Sequence, residues 1–93
     1  RELRDYRILS VISRGRVSTV FEALDPGRRP VAIKLFAPRR EADREMMNRF
    51  LQEAGVLARF DHPGVVKLLI SGYFHTEHGE RPYHVMELIR GRP

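Results

Sequence analysis

The spacing of apolar residues changes twice along this chain, and that change constrains the fold more than any other feature. Apolar residues alternate or form short runs up to about residue 36, recur at helical spacing from Glu41 to Arg59, and then return to short extended runs. A strand needs side chains that alternate across a sheet, whereas a helix needs them along one stripe, so one element cannot satisfy both patterns.

Tyr6–Ser13 is rich in β-branched and aromatic residues and ends at the turn signal Arg14-Gly15. Val17–Leu24 resumes with period two, with Val20, Glu22 and Leu24 on one side and Thr19, Phe21 and Ala23 on the other. The two runs predict a hairpin whose turn contains Gly15. Asp25-Pro26-Gly27 predicts a second turn, with Pro presetting φ and Gly27 tolerating positive φ. Pro30–Phe36 is a third strand, closed by Pro38. From Glu41 to Arg59, Met46, Phe50, Ala54, Leu57 and Ala58 make one apolar stripe, with Asp43, Arg44, Glu45 and Arg49 between them. Gly55 inside this helix costs about 1 kcal/mol relative to Ala, which points to close packing or a soft point. Asp61-His62-Pro63-Gly64 breaks the helix. Val65–Phe74 and Tyr83–Ile89 then predict two more strands joined by the polar stretch His75–Pro82. The order β-β-β-α-β-β implies an α+β fold, a five-stranded antiparallel sheet with one helix on a face.

At 93 residues the chain makes one small domain, residues 1–93, and buries only about 60% of its unfolded surface. No window approaches the roughly 20 apolar residues that cross a bilayer, and the charged start from Arg1 to Tyr6 is unlike a signal peptide. With no cysteine, a disulfide framework and thiolate metal sites are excluded, which fits a cytoplasmic setting. The net charge of +5 raises nucleic acid as a partner, but the 15 arginines among 17 cations are scattered from Arg1 to Arg92. The expectation is therefore no nucleic-acid role and no membrane segment in this window. His75-Thr76-Glu77-His78 lacks the helical i, i+4 spacing and cysteine partners of zinc sites, and no metal site is expected here.

Three features could carry chemistry. The turn Ser13-Arg14-Gly15-Arg16-Val17-Ser18 is mostly small residues, so its backbone N–H groups could approach an anion, although many plain hairpins look alike. Lys34 lies in the apolar run Val31-Ala32-Ile33-Lys34, on the side of Ala32 and opposite Val31, Ile33 and Leu35. A buried ammonium must snorkel or be paired, and a solvated strand face accounts for it equally well. Glu53 lies on the helix among apolar neighbours. If that face packs on the sheet, Glu53 needs a cation, and Lys34, nineteen residues upstream, is the natural candidate. An exposed helix carboxylate is the plainer account.

Order and spacing say more than each feature alone. From Tyr6 to Gly91 the residues resemble the eukaryotic-type protein kinase family, most like the bacterial serine/threonine kinases. Ile12-Ser13-Arg14-Gly15-Arg16-Val17-Ser18-Thr19-Val20 looks like the glycine-rich phosphate loop and its following valine. Val31-Ala32-Ile33-Lys34 matches the third-strand lysine motif, and Phe50-Leu51-Gln52-Glu53-Ala54 is similar to the helix segment bearing its glutamate. His62-Pro63-Gly64-Val65-Val66-Lys67-Leu68 resembles the turn and fourth strand, and Tyr83–Gly91 the fifth strand, gatekeeper and hinge.

The resemblance implies the ATP-binding N-terminal lobe of a serine/threonine kinase, cut at the hinge, which transfers the ATP γ-phosphate to protein hydroxyls. It implies a catalytic pair, Lys34 on the α/β-phosphates and Glu53 holding it. The loop Ile12, Ser13, Arg14, Gly15, Arg16, Val17 and Ser18 would cover the phosphates, and Val20 and Ala32 would roof the adenine. Met86 would be the gatekeeper, and the backbones of Glu87 and Ile89 would bond the adenine edge. Leu57 and Leu68 would belong to the hydrophobic stack that links the lobes. The family pattern has three loop glycines, whereas Ser13 and Ser18 stand at the outer positions here. Each Ser adds a side chain and narrows access to positive φ, which predicts weaker nucleotide binding.

The cofactor implied is ATP with Mg²⁺, whose metal ligands and catalytic Asp come from the family's second lobe, so this segment alone is expected to be inactive. The partners implied are ATP, a protein substrate, and either the C-terminal lobe or a self-association partner at the exposed lobe face. A different class remains open: a non-catalytic, pseudokinase-like lobe serving as a binding or regulatory module through an apolar face. An unrelated β-rich nucleic-acid binder would need an aromatic platform that this sheet lacks.

Overall fold

The computed structural model describes residues 3–59, 68–77 and 79–88. A 3-10 turn at Leu3–Asp5 leads into β1 (Arg7–Arg14), β2 (Ser18–Leu24) and β3 (Pro30–Phe36). A 3-10 segment at Glu41–Met46 then runs into α1 (Met47–Arg59), followed by β4 (Leu68–Thr76) and β5 (Gly79–Glu87). All pairings are antiparallel, in the order β1-β2-β3-β5-β4, so β5 inserts between β3 and the edge strand β4.

Register assigns every side chain to a face. On one face lie the rungs Val20–Lys34–His84–Ser71 and Glu22–Ala32–Met86–Leu68. α1 docks there, seating Phe50 edge-on to Phe36 and stacked on His84. The opposite face carries the core of Ala23, Val31, Ile33, Tyr83 and Val85, closed by Tyr6 and flanked by Leu3, Phe21, Leu35 and Ile70. Ile33 and Ala23 are fully buried in it. Gly72 faces Tyr83 across the ladder, and a Cβ there would come within 2.9 Å of the phenol oxygen. A side chain at this position would take the space of the ring.

Several sequence expectations are corrected. The stretch 75–82 is not a loop, because His75 pairs with Glu80 and Thr76 with Gly79, leaving a two-residue connection. Gly79 takes φ +104, which a side chain would resist, and Thr76 Oγ1 donates to its carbonyl at 2.7 Å. Pro82 is tolerated inside β5 because the β3 ladder reaches only Tyr83. The first part of the expected helix is 3-10, with the Asp43 N–H bonded to the Arg40 carbonyl at 3.0 Å. In the β2–β3 turn the positive φ falls on Arg28 (66°) rather than Gly27, and the Asp25 carboxylate bridges the turn to the Arg29 N–H at 2.8 Å. Residues 60–67, where the sequence places the His62-Pro63-Gly64 turn and the start of β4, lie outside the described residues.

Large apolar side chains are exposed on both edge strands, Ile8, Leu9, Val11 and Ile12 on β1 and Leu69, Tyr73 and Phe74 on β4. Leu9, Ile12 and Leu69 occupy register shifts, where the extra residue of a bulge loses its partner.

Candidate functional site

Lys34 reaches the site because β3 is the central strand and its even-numbered residues face α1. Its Nζ donates to both carboxylate oxygens of Glu53, at 2.9 and 3.0 Å. The lysine is about a quarter exposed and the carboxylate somewhat more, so the pair opens to solvent on one side. Lys34 also lies 6.0 Å from the Phe50 ring centroid. The ammonium is thus held by the carboxylate, with the Phe50 ring at the outer limit of cation–π contact and one side open to solvent, from which an anion could approach.

Beside this pair the next rung is apolar from Ala32 to Leu68, with Glu22 at its β2 end. Ala32 and Met86 are buried and directly opposite each other, and Val20 faces Lys34 across the β2–β3 ladder. Glu87 ends β5 with its side chain exposed, opposite Val31. Leu68 is half-buried opposite Met86. Ile89 and the side chain of Leu57 lie outside the described residues.

The β1–β2 turn closes when the Gly15 N–H bonds the Ser18 carbonyl at 2.7 Å. Ile12, Ser13 and Arg14 complete β1, with Ser13 opposite Val20 and Arg14 opposite Thr19, and Ser18 opens β2 opposite Phe36. Neither Ser13 nor Ser18 takes positive φ, and Gly15 does not either. The conformational demand inferred for those positions is therefore not made by this backbone. Gly15 instead eases a close approach, since a Cβ would sit a tight 3.3 Å from the Ser18 carbonyl oxygen. The Val17 carbonyl accepts the Ala37 N–H at 2.7 Å, which leans the turn on the segment after β3.

Two residues near the site were not singled out by sequence reasoning. Asp43, expected among the polar residues between the stripe, is buried with a side chain 3% exposed. Its Oδ1 accepts from Arg16 Nε at 3.1 Å and Nη2 at 2.9 Å, and its Oδ2 accepts from Arg40 Nε at 3.2 Å. The hydrogen bond from Arg16, then that from Arg40, holds the Asp43 carboxyl below its ordinary range, and the bond to Asp43 raises Arg16. His84 is fully buried on the rung of Lys34. Its Nε2 is 2.9 Å from the Phe50 carbonyl, which can only accept, so Nε2 carries a proton. In the neutral ring Nδ1 then accepts from the Ser71 hydroxyl at 3.2 Å. A histidine alternating onto the lysine's face was the available signal for this bridge between α1 and β4.

A five-stranded antiparallel sheet with one helix, joined by a lysine–glutamate pair, defines an α+β lobe of the protein kinase type. The model of the protein tyrosine and serine/threonine kinase family matches residues 6–92, and the chain belongs to that family. It is 36% identical over 91 residues to the serine/threonine-protein kinase PknA of Mycobacterium tuberculosis, covering 95% of this chain and 21% of that protein. It is 36% identical over 87 residues to PknL of the same species, covering 92% and 21%. To the DNA damage-responsive serine/threonine-protein kinase RqkA of Deinococcus radiodurans it is 40% identical over 93 residues, covering 95% and 13%. The chain thus spans about a fifth or less of the length of these relatives, and corresponds to a kinase N-terminal lobe.

Proposed function

We propose that this chain is the ATP-binding lobe of a serine/threonine protein kinase that transfers the γ-phosphate of MgATP to protein hydroxyls. The observation that carries the reading is the Lys34 ammonium fixed by both oxygens of Glu53 on the open face of the sheet. A lysine held this way presents charge to the α/β-phosphates without reorganising, which is how phosphoryl transfer is assisted. Val20 and Ala32 would cover the adenine, Met86 would close the back of its pocket, and the backbones of Glu87 and Ile89 would bond its edge. Backbone N–H groups of the turn from Ile12 to Ser18 would lie over the phosphates.

Among the described residues no group of three or more His, Asp or Glu could hold a metal. In the kinase reading the ligands of Mg²⁺ belong to the second lobe. The segment by itself would bind nucleotide without turning it over. No described helix is long and apolar enough to cross a membrane. The protein substrate and the second lobe complete the expected set of partners.

In the full-length kinase, Lys34→Met is expected to abolish phosphoryl transfer while changing stability by no more than about 1 kcal/mol, because the ion pair is partly exposed. Turnover undiminished by Lys34→Met refutes the assignment.

A further inference from the structure

The Arg16–Asp43–Arg40 cluster lies outside the lysine–glutamate pair, yet it joins the β1–β2 turn to the 3-10 segment that leads into α1, the helix bearing Glu53. Arg16 stands at the tip of the β1–β2 turn, already leaned on the post-β3 segment by the Val17–Ala37 bond. Its guanidinium extends sideways and gives two N–H groups to one oxygen of Asp43. The second oxygen is taken by Arg40, so a carboxylate 3% exposed is sealed beneath two guanidiniums that are each about two-thirds exposed. A buried carboxylate with both oxygens engaged is a fixed anchor, whereas the outer ends of its partners remain hydrated.

Asp43 is also part of a continuous rod. The 3-10 segment passes into α1 without a break, with Met47 in αR conformation and its N–H bonded to the Arg44 carbonyl. Glu53 lies ten residues further along the same helical stretch, about 17 Å from Asp43 at about 2.0 Å per residue to Met47 and about 1.5 Å beyond. A displacement of the turn tip therefore pulls on the end of the element that places Glu53 against Lys34.

We propose that Asp43 is a positioning residue that latches the turn, through Arg16, to the helix bearing Glu53, so that phosphate-loop placement and the Lys34–Glu53 pair are set together. This rests on the ATP-binding reading for its kinetic consequence, but not for the mechanical coupling itself. Arg16 acts on nucleotide through Asp43 and not by touching phosphate.

The test is a charge-reversal set in the full-length kinase. Arg16→Glu and Asp43→Arg are each expected to raise the KM for ATP about three- to fivefold, the scale of a charge-assisted contact open to water on one side. Arg16→Glu combined with Asp43→Arg is expected to recover part of that loss, short of the parent because Arg40 still faces position 43. A direct phosphate contact predicts the opposite, since the carboxylate introduced by Arg16→Glu would repel the nucleotide whatever stands at position 43. Singles that leave KM unchanged, or a double variant no better than the worse single, overturn the latch.

Should the reversals not fold, the near-isosteric Asp43→Asn is read by amide hydrogen exchange without nucleotide. Exchange is expected to quicken both in the turn around residues 14–18 and in residues 47–53, and unchanged exchange in either segment refutes the coupling. That result stands whatever Lys34→Met does. A failure of the ATP reading, seen as normal turnover with Lys34→Met, is thereby distinguished from a failure of the latch.

Discussion

Replacing Phe50 tests whether one ring seats the helix that carries Glu53. The side chain is 5% exposed, 4.1 Å from the His84 ring in a near-parallel stack and 5.5 Å from Phe36 edge-on. Removing such a ring leaves a cavity, and Phe50→Ala is expected to cost about 3–5 kcal/mol. Against a total stability of roughly 5–15 kcal/mol for a small domain, that loss is large enough to populate the unfolded state.

Phe50→Leu keeps most of the apolar bulk and isolates the ring geometry. Each aromatic pair contributes about 0.5–1.5 kcal/mol beyond its buried area. The Lys34 ammonium, at 6.0 Å from the centroid, sits at the outer limit of cation–π contact and adds little. The main-chain bond from His84 survives, because the acceptor is the Phe50 carbonyl. The expected cost is therefore about 1–3 kcal/mol. In urea unfolding followed by far-UV circular dichroism, with m near 1 kcal/mol/M, the midpoint should fall by about 1–3 M at unchanged m. A Phe50→Leu variant within about 0.5 kcal/mol of the parent would show that the ring does not seat α1.

Two further outcomes follow from packing and charge. Gly72→Ala drives a Cβ to 2.9 Å from the Tyr83 hydroxyl oxygen and 3.0 Å from its Cζ, and Tyr83 is buried, so a loss of about 1–3 kcal/mol is expected in thermal unfolding. The Asp43 carboxyl is held below its ordinary value, chiefly by the Arg16 hydrogen bond, so its stabilisation is fully present above the unfolded pKa of about 3.9. It is lost as pH falls through the lower folded value. The stability gap between parent and Asp43→Asn should stay constant from neutral pH down to about 5 and narrow progressively below about 4, and a gap that does not narrow as pH falls below about 4 contradicts the pairing.

Much of the architecture was legible because period and turn chemistry act locally. Pro30–Phe36 is a strand with the bounds its sequence shows, and the turn at Gly15 lies between β1 and β2 as the residues there require. Where reading failed, a distant partner had decided the matter. Polar residues 75–82 look like a loop, yet β4 and β5 pair through them because the two-residue connection with Gly79 lets the ladder continue outward. Asp43 looks solvated from its own helix, and Arg16, 27 positions away, together with Arg40 makes it a buried anion.

By itself the sequence determined the order of the strands and the helix, the faces of β2 and β3 and the placing of Lys34 opposite Val31 and Ile33. These follow from a two-residue repeat, from helical spacing and from residues that fix φ, all of which operate within a few positions. The tertiary structure alone decided what those faces meet. It set Glu53 2.9 Å from Lys34, laid Phe50 on His84 and sealed Asp43 under two arginines, because such contacts join residues that only chain folding brings within hydrogen-bonding or van der Waals reach.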